Sequence, residues 1–538
     1  MQLNIDFLKT NRFRKILTYI KYGGSLAVTI FALTGMHNWL YFWGSLLELA
    51  VIFLLSNMLS NRYRKTAYVI NGILLLLYNV QQFVLYFGST YLTMIMVSNL
   101  SSVQDLGGRA AAYITSIVLV VIFSFLPIYP FQWKKVSMHN VLTAILIIDL
   151  GFTMTVGNTY SPLYDYVMVS SQANEEKKRQ DYIASLPDRS KDFYHKNIND
   201  SIEKPADLPD QPNIILIFTE GLSQSIVSDD REIMPNVASY EKKSLFFKNY
   251  YNHTAATYRG LIGQLYSGYQ YNNLDENHLI SLQKILQDQG YYTSFINSEP
   301  NNMQFTSYLN TFGFDDVISK NSDEYLTDKE TYELLEKTVT KEKNSDQPFF
   351  TAVYTFNTHV SLDSDDEVYG DGTDAELNKF YNCDDQFGKF MKFFNSSELA
   401  DNTIVVFTAD HCTYADDAFR DAFPDAERED NFVDQIPLFI YYKGIEADTL
   451  DTDGRNSLCL APTILDYIDI SEPNYFLGTS LFTDINSDTS PYDTVYTIEN
   501  DMLISTRDGD IQPVDSSIEK KMKKNINSYY SAAQQNRE

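Results

Sequence analysis

Five apolar stretches occupy the first 157 residues, at roughly 16–36, 39–59, 67–87, 111–129 and 140–157. Each is long enough, or nearly so, to cross a bilayer, which takes about 20 residues as a helix. Over residues 1–140 eleven Lys and Arg stand against three acidic residues, a net charge of +8. That leaves −36 on the remainder of a 538-residue chain whose total is −28. Sequences so different in polarity do not share one core. The split predicts a multi-pass membrane anchor over 1–157, a juxtamembrane helix and linker over 158–211, and a soluble acidic head over 212–538. The first stretch is too polar at its start and too long overall for a plain signal peptide, and four more follow it.

Basic residues precede the first stretch and lie between the second and third (Arg62, Arg64, Lys65) and between the fourth and fifth (Lys134, Lys135). The loops on the other side carry only Arg109. By the positive-inside rule the N-terminus is cytoplasmic and the head is extracytoplasmic. A remainder at −36 repels phosphate backbones, which disfavours nucleic acid as a partner. Glu48 and Asp149 fall inside the apolar stretches, where an ionisable group either faces another helix or marks a function. Three cysteines, Cys383, Cys412 and Cys459, cannot all pair within one chain, so no disulfide framework is expected.

In the head, short β-branched runs alternate with helical patterns, the order of a doubly wound α/β domain. Three of these runs end on side chains that bind cations. IILIFT runs into Glu220, FFTAVYTFNT into His359, and TIVVFTA into Asp410 and His411. Ligand chemistry in open α/β sheets gathers outside the carboxyl ends of the strands. Two carboxylates and an imidazole brought to one edge make a site for one divalent cation, Mn²⁺ or Zn²⁺. Between the first run and the rest lies NYYNHTAATYRGLIGQLYSGY, a hydroxyl-rich segment leading into a helical pattern. A hydroxyl at a helix start beside a cation is an activated nucleophile facing an anion-binding terminus. Thr257 fits that role best and Thr254 is its rival. Arg259 is the candidate clamp for an anionic substrate.

At these motifs the chain resembles the alkaline phosphatase superfamily, in particular its membrane-anchored transferase branch of lipoteichoic acid synthases, phosphoglycerol transferases and phosphoethanolamine transferases. The matching pieces are PNIILIFTEG, MPNVASYEKKSLFFKNYYNHTAATYRG, LQKILQDQGYYTSFI, YLNTFGFDDVI, FNTH, FTADH, IPLFIYYKG and APTILDYIDI followed by FLGTSLF. Their order over residues 212–485, after five apolar stretches, carries the likeness better than any single fragment. The resemblance implies an alkaline-phosphatase-like α/β head with Glu220, Thr257, Asp410 and His411 as a one-metal set. It further implies Thr257 as nucleophile and His359 in contact with the transferred phosphate or its headgroup. The implied reaction moves a phosphoalcohol headgroup, glycerol phosphate first, from a membrane phospholipid to an envelope glycan or polymer. The alternatives are a phosphoethanolamine transferase, a phosphodiesterase or sulfatase-type hydrolase, and a non-catalytic envelope-binding protein. Two departures stand out. The glycine that usually follows the Asp-His pair is Cys412 here, and NSEPNNMQFTSYLN lacks the Trp and Arg that lipoteichoic acid synthases place around glycerol phosphate. No Cys or Ser followed by Pro and Arg appears at TAATYRG, against a formylglycine sulfatase.

Overall fold

A computed structural model describes the chain apart from residues 1–10, 34–37, 89, 94–95, 98–109, 132–136, 199–200, 346, 361, 365, 427, 429–431, 485–488, 499–501 and 536–538. Arg109, Lys134 and Lys135 thus lie outside the described residues. The chain divides into two units, residues 1–178 and 179–538.

Helices α1 (Asn11–Ala32), α2 (Trp39–Ser60), α3 (Arg64–Gly88), α4 (Ala110–Ser124) and α5 (Met138–Val156) make up most of the first unit, followed by α6 (Pro162–Ser185). Among the described residues three helical segments are long and apolar enough to cross a membrane: Trp39–Ser60, Arg64–Tyr86 and Met138–Val156. The sequence suggested five. Polarity explains the first shortfall, because α1 carries Arg12, Arg14, Lys15 and Lys21, and length the second, because α4 is described over 15 residues. The buried residues of α1 are Thr18, Lys21, Ser25, Thr29 and Ala32, a small and polar stripe at helical spacing. Lys21 Nζ donates to Asn71 Oδ1 and, at 3.0 Å, to the Leu126 carbonyl. Glu48 is likewise turned toward protein: it accepts from Ser161 Oγ and, at 2.7 Å, from the Leu163 amide. Asp149 Oδ1 has no hydrogen-bond partner among the described residues.

The second unit is built on an eight-stranded sheet of order β4-β3-β5-β1-β6-β7-β2-β8. Its strands are β1 (Asn213–Thr219), β2 (Leu245–Lys248), β3 (Tyr292–Ile296), β4 (Asp316–Ile318), β5 (Phe349–Thr355), β6 (Thr403–Ala409), β7 (Leu438–Tyr441) and β8 (Asp448–Asp451). From β4 to β6 all neighbours are parallel, whereas β7 runs antiparallel to both β6 and β2. The sheet is therefore mixed. Every residue of β1, β5 and β6 is buried, which accounts for their mostly apolar sequences, with Thr as the main polar residue. A three-stranded antiparallel sheet, β9 (Val495–Ile498), β10 (Met502–Ser505) and β11 (Gln512–Pro513), follows toward the C-terminus. His195 bridges Asn474, and the Ser201 and Lys204 amides donate to Asp466 (3.1 Å) and Asp469 (3.0 Å).

Candidate metal centre

Register brings the first two carboxylates to one level. Thr219 at the end of β1 pairs with Thr355 of β5 on one side and Ala409 of β6 on the other. The ladder then extends one residue further. Glu220 N donates to the Thr355 carbonyl at 3.3 Å, and Asp410 N to the Thr219 carbonyl at 3.2 Å. Both carboxylates leave adjacent central strands at the carboxyl edge, with His411 next in the chain.

Donor atoms of Glu220, Asp410 and His411 all lie within 4.8 Å of one another. His411 Nε2 is 3.4 Å from Glu220 Oε1 and 3.5 Å from Asp410 Oδ2. Each residue spends its other polar atom on the protein. Asp410 Oδ1 accepts from the Gly221 amide (2.8 Å) and the His411 amide (2.7 Å), while buried Oδ2 has no hydrogen-bond partner. His411 Nδ1 lies 2.7 Å from the Cys412 carbonyl, a contact that requires the proton on Nδ1 and leaves Nε2 as the lone-pair nitrogen. Glu220 Oε2 accepts from Thr257 Oγ1 (2.8 Å) and the Tyr354 hydroxyl (2.5 Å), which leaves Oε1 turned to His411. Glu220 Oε1, Asp410 Oδ2 and, in the neutral imidazole, His411 Nε2 converge, and this donor set fits a divalent cation.

Electrostatics agree. Burial and the adjacent Glu220 push the Asp410 carboxyl up to about 8. Burial alone lowers the His411 imidazole, but Asp410 and Glu220 outweigh it and raise its pKa to about 10. Glu220 is raised by burial and pulled further down by His411, His359 and the Tyr354 hydrogen bond, ending below the usual carboxylate range. Without a cation, a positive imidazolium and a proton held on Asp410 relieve the repulsion between two buried carboxyl groups.

Thr257 opens helix α7 (Thr257–Tyr266), and the residue before it, Ala256, holds φ +75°. A side chain at positive φ is strained by roughly 1–3 kcal/mol and persists where the surroundings dictate it. Here the strained turn at the helix N-terminus aims the half-buried Thr257 hydroxyl at Glu220. Gly260, one turn on, lets α7 lie directly on the end of β6, since a Cβ there would come within 2.3 Å of the Asp410 carbonyl oxygen. Gln264 Nε2 ties the helix down further, donating to the carbonyls of Ala409 (2.9 Å) and Asp410 (3.1 Å).

The remaining candidates are not among the three converging donors. His359 follows β5, stacks on Phe356 (centroids 5.0 Å apart) and interacts electrostatically with Glu220; burial lowers its pKa. Arg259 is 3% exposed and acts electrostatically on Tyr308 and Tyr530, so it is not an open clamp on solvent. The Thr254 hydroxyl is buried with no hydrogen-bond partner among the described residues. All three cysteines are buried thiols outside any disulfide. Sequence reasoning missed Tyr354, which reads as one more aromatic in a buried strand, and Arg428, hidden in the acidic run DAERED.

The comparisons with known proteins follow the same lines. Residues 212–470 match the sulfatase family model. The integral membrane lipooligosaccharide phosphoethanolamine transferase A (EptA) of Neisseria meningitidis superposes with a TM-score of 0.52 at 12% identity, covering 87% of this chain and 96% of that one. A protein of the alkaline phosphatase superfamily from Vibrio parahaemolyticus gives 0.49 at 17% identity, over 67% of this chain and 94% of that one. The lipoteichoic acid synthase LtaP of Listeria monocytogenes gives 0.46 at 14% identity, over 67% and 95%. At such identities the EptA superposition speaks to the fold.

Proposed function

We propose that this chain, whose residues 212–470 match the sulfatase family model, is a membrane-anchored phosphoalcohol transferase with Thr257 as its nucleophile. The observation that carries the reading is the 2.8 Å hydrogen bond from Thr257 Oγ1 to Glu220, at a helix N-terminus facing the Glu220–Asp410–His411 trio. We further assign all five N-terminal helices as membrane crossings, with the N-terminus cytoplasmic and the head outside.

Glu220, Asp410, His411 and Thr257 would hold one divalent cation, Mn²⁺ or Zn²⁺, which lowers the pKa of a bound hydroxyl and polarises a phosphoryl oxygen. Glu220 Oε2 orients the Thr257 hydroxyl and receives its hydrogen. Thr257 Oγ1 then attacks the phosphorus of a phospholipid headgroup in line. The Oγ1–P bond forms, the bond from phosphorus to the glyceride oxygen breaks, and that oxygen leaves as diacylglycerol with the proton from Glu220, relayed through water. The first-turn amides of α7 stabilise the phosphoryl oxygens. His359 contacts the transferred phosphate or its headgroup. An acceptor hydroxyl on an envelope glycan or polymer displaces phosphorus from Thr257, and its proton returns to Oγ1. Glycerol phosphate from phosphatidylglycerol is the first choice of headgroup and phosphoethanolamine the second. The sulfatase-family match favours a hydrolase as second reading, with water in place of the acceptor.

The test compares the full-length wild type with Thr257→Ala, given Mn²⁺ or Zn²⁺ and fluorescent phosphatidylglycerol or phosphatidylethanolamine. Headgroup-dependent release of diacylglycerol, lost in the variant, and a Thr257 peptide carrying the headgroup phosphate are the expected results. Release that persists in Thr257→Ala refutes the assignment of the nucleophile. Release from neither lipid refutes the lipid donor.

A further inference from the structure

We propose that Arg428 is the positioning residue of the cation site, its guanidinium clamping together the two loops that carry the ligands. This rests on reading Glu220, Asp410 and His411 as those ligands. The loops 220–223 and 410–413 are laced residue by residue. Gly221 N donates to Asp410 Oδ1 (2.8 Å) and Leu222 N to the His411 carbonyl (3.1 Å). Ser223 and Thr413 then exchange a reciprocal pair, each amide donating to the other's hydroxyl at 3.1 Å. Arg428 closes the open end of this lacing. Its Nη1 donates to Ser223 Oγ (3.2 Å) and to the Thr413 carbonyl (3.0 Å), and its Nη2 reaches Cys412 Sγ (3.4 Å).

One planar fork thus grips the chain three residues past Glu220 and one and two residues past His411. Its side chain is 2% exposed, too enclosed to meet substrate. Asp434 balances its charge at 3.2 Å from Nη1, and the Phe419 ring lies 5.5 Å from Cζ. Cys412 gains a purpose here. The thiol accepts from the guanidinium where a glycine would offer nothing. The clamp acts against a specific strain: Glu220 and Asp410 repel each other at the distance a shared cation requires, so two loops without a fastening spread before it arrives. An ammonium cannot reproduce this, because only a guanidinium presents donors in a rigid plane to several acceptors at once.

Calorimetric titration of Mn²⁺ and of Zn²⁺ into the full chain in detergent tests the idea, with the unfolding midpoint of the metal-free protein recorded for each variant. Outer partners of metal ligands are typically worth 10- to 100-fold in affinity. Arg428→Met is expected to weaken binding by roughly that factor. Arg428→Lys keeps a charge beside Asp434, so it folds with a midpoint near the wild type yet still binds about tenfold more weakly. Lys443→Met, which breaks only the exposed pair with Asp401, is expected to bind like the wild type. Wild-type affinity in Arg428→Lys, or a lowered midpoint with unchanged affinity in both Arg428 variants, overturns the proposal and leaves the ligand reading intact. Equal binding by the wild type and Glu220→Gln overturns the ligand reading itself.

Discussion

Gly260→Ala isolates the contribution of geometry to this site, because it leaves every reacting group in place. The added Cβ would lie 2.3 Å from the Asp410 carbonyl oxygen and 2.9 Å from its carbon. Both atoms are backbone of the strand end and cannot swing aside, so α7 has to retreat. Restoring an ordinary contact of about 3.4 Å moves the helix by about 1 Å. Thr257 Oγ1 then stands nearly 4 Å from Glu220, beyond hydrogen bonding, and the Gln264 bonds to Ala409 and Asp410 stretch similarly. Stability changes little. Alanine gains roughly 1 kcal/mol over glycine inside a helix, while overpacking costs about 1–3 kcal/mol. Turnover falls much further, since a misplacement of 1 Å can cost about 100-fold. The assay is the initial rate of headgroup transfer on whichever lipid the wild type accepts, with the unfolding midpoint measured beside it. A folded Gly260→Ala protein with wild-type turnover refutes the claim that the helix-to-strand contact sets the nucleophile.

Tyr354→Phe removes one of two hydrogens from Glu220 Oε2 and is expected to weaken cation affinity roughly tenfold in the same calorimetry. Thr254→Ala deletes a buried hydroxyl with no described partner, so turnover is expected to stay at the wild-type level; a dead enzyme would transfer the nucleophile's role to Thr254. Asp493 is held up to about 6 chiefly by burial, against 3.8 ordinarily. The folded state therefore keeps a proton that the unfolded chain loses. The stability is fully present below about pH 4 and disappears as pH rises through about 6, a loss of about 3 kcal/mol at 1.36 kcal/mol per pH unit. Denaturant titrations of metal-free wild type and Asp493→Asn should differ by that slope over pH 4–6, and parallel curves would refute it. Chelation with EDTA is expected to lower the unfolding midpoint, because a cation present at 100 times its Kd adds about 2.7 kcal/mol; no change in calorimetry would argue against a bound cation.

Burial decided what could be read in the sequence. Strands β1, β5 and β6 are enclosed on both faces, so they carry no charged residue and the charged ends at Glu220 and Asp410 stand out. The reversed direction of β7 was not visible, because IPLFIYY has the same composition whichever way it runs and only its neighbours fix the choice. Strands β2 and β4, with four and three residues, are too short to show a period. Ala256 gave no warning of its positive φ, since glycine or asparagine is the usual sign. The apolar stretch at 16–36 hid the polar buried stripe of α1, whose residues pair with other helices instead of facing lipid. Tyr354 meets Glu220 across 134 residues and Arg428 meets Ser223 across 205 residues, pairings that no local window reports.

The register that sets Thr219 opposite Thr355 and Ala409 makes the centre an all-or-none assembly. Glu220 and Asp410 are 190 positions apart in the chain and meet only through that pairing, so no fragment or partly folded head holds both. A slip of one residue between β1 and β6 would displace one carboxylate by about 3.3 Å and turn it to the opposite face. Occupancy by a cation would therefore serve as a proofreading signal, present in correctly paired molecules and missing from every near miss.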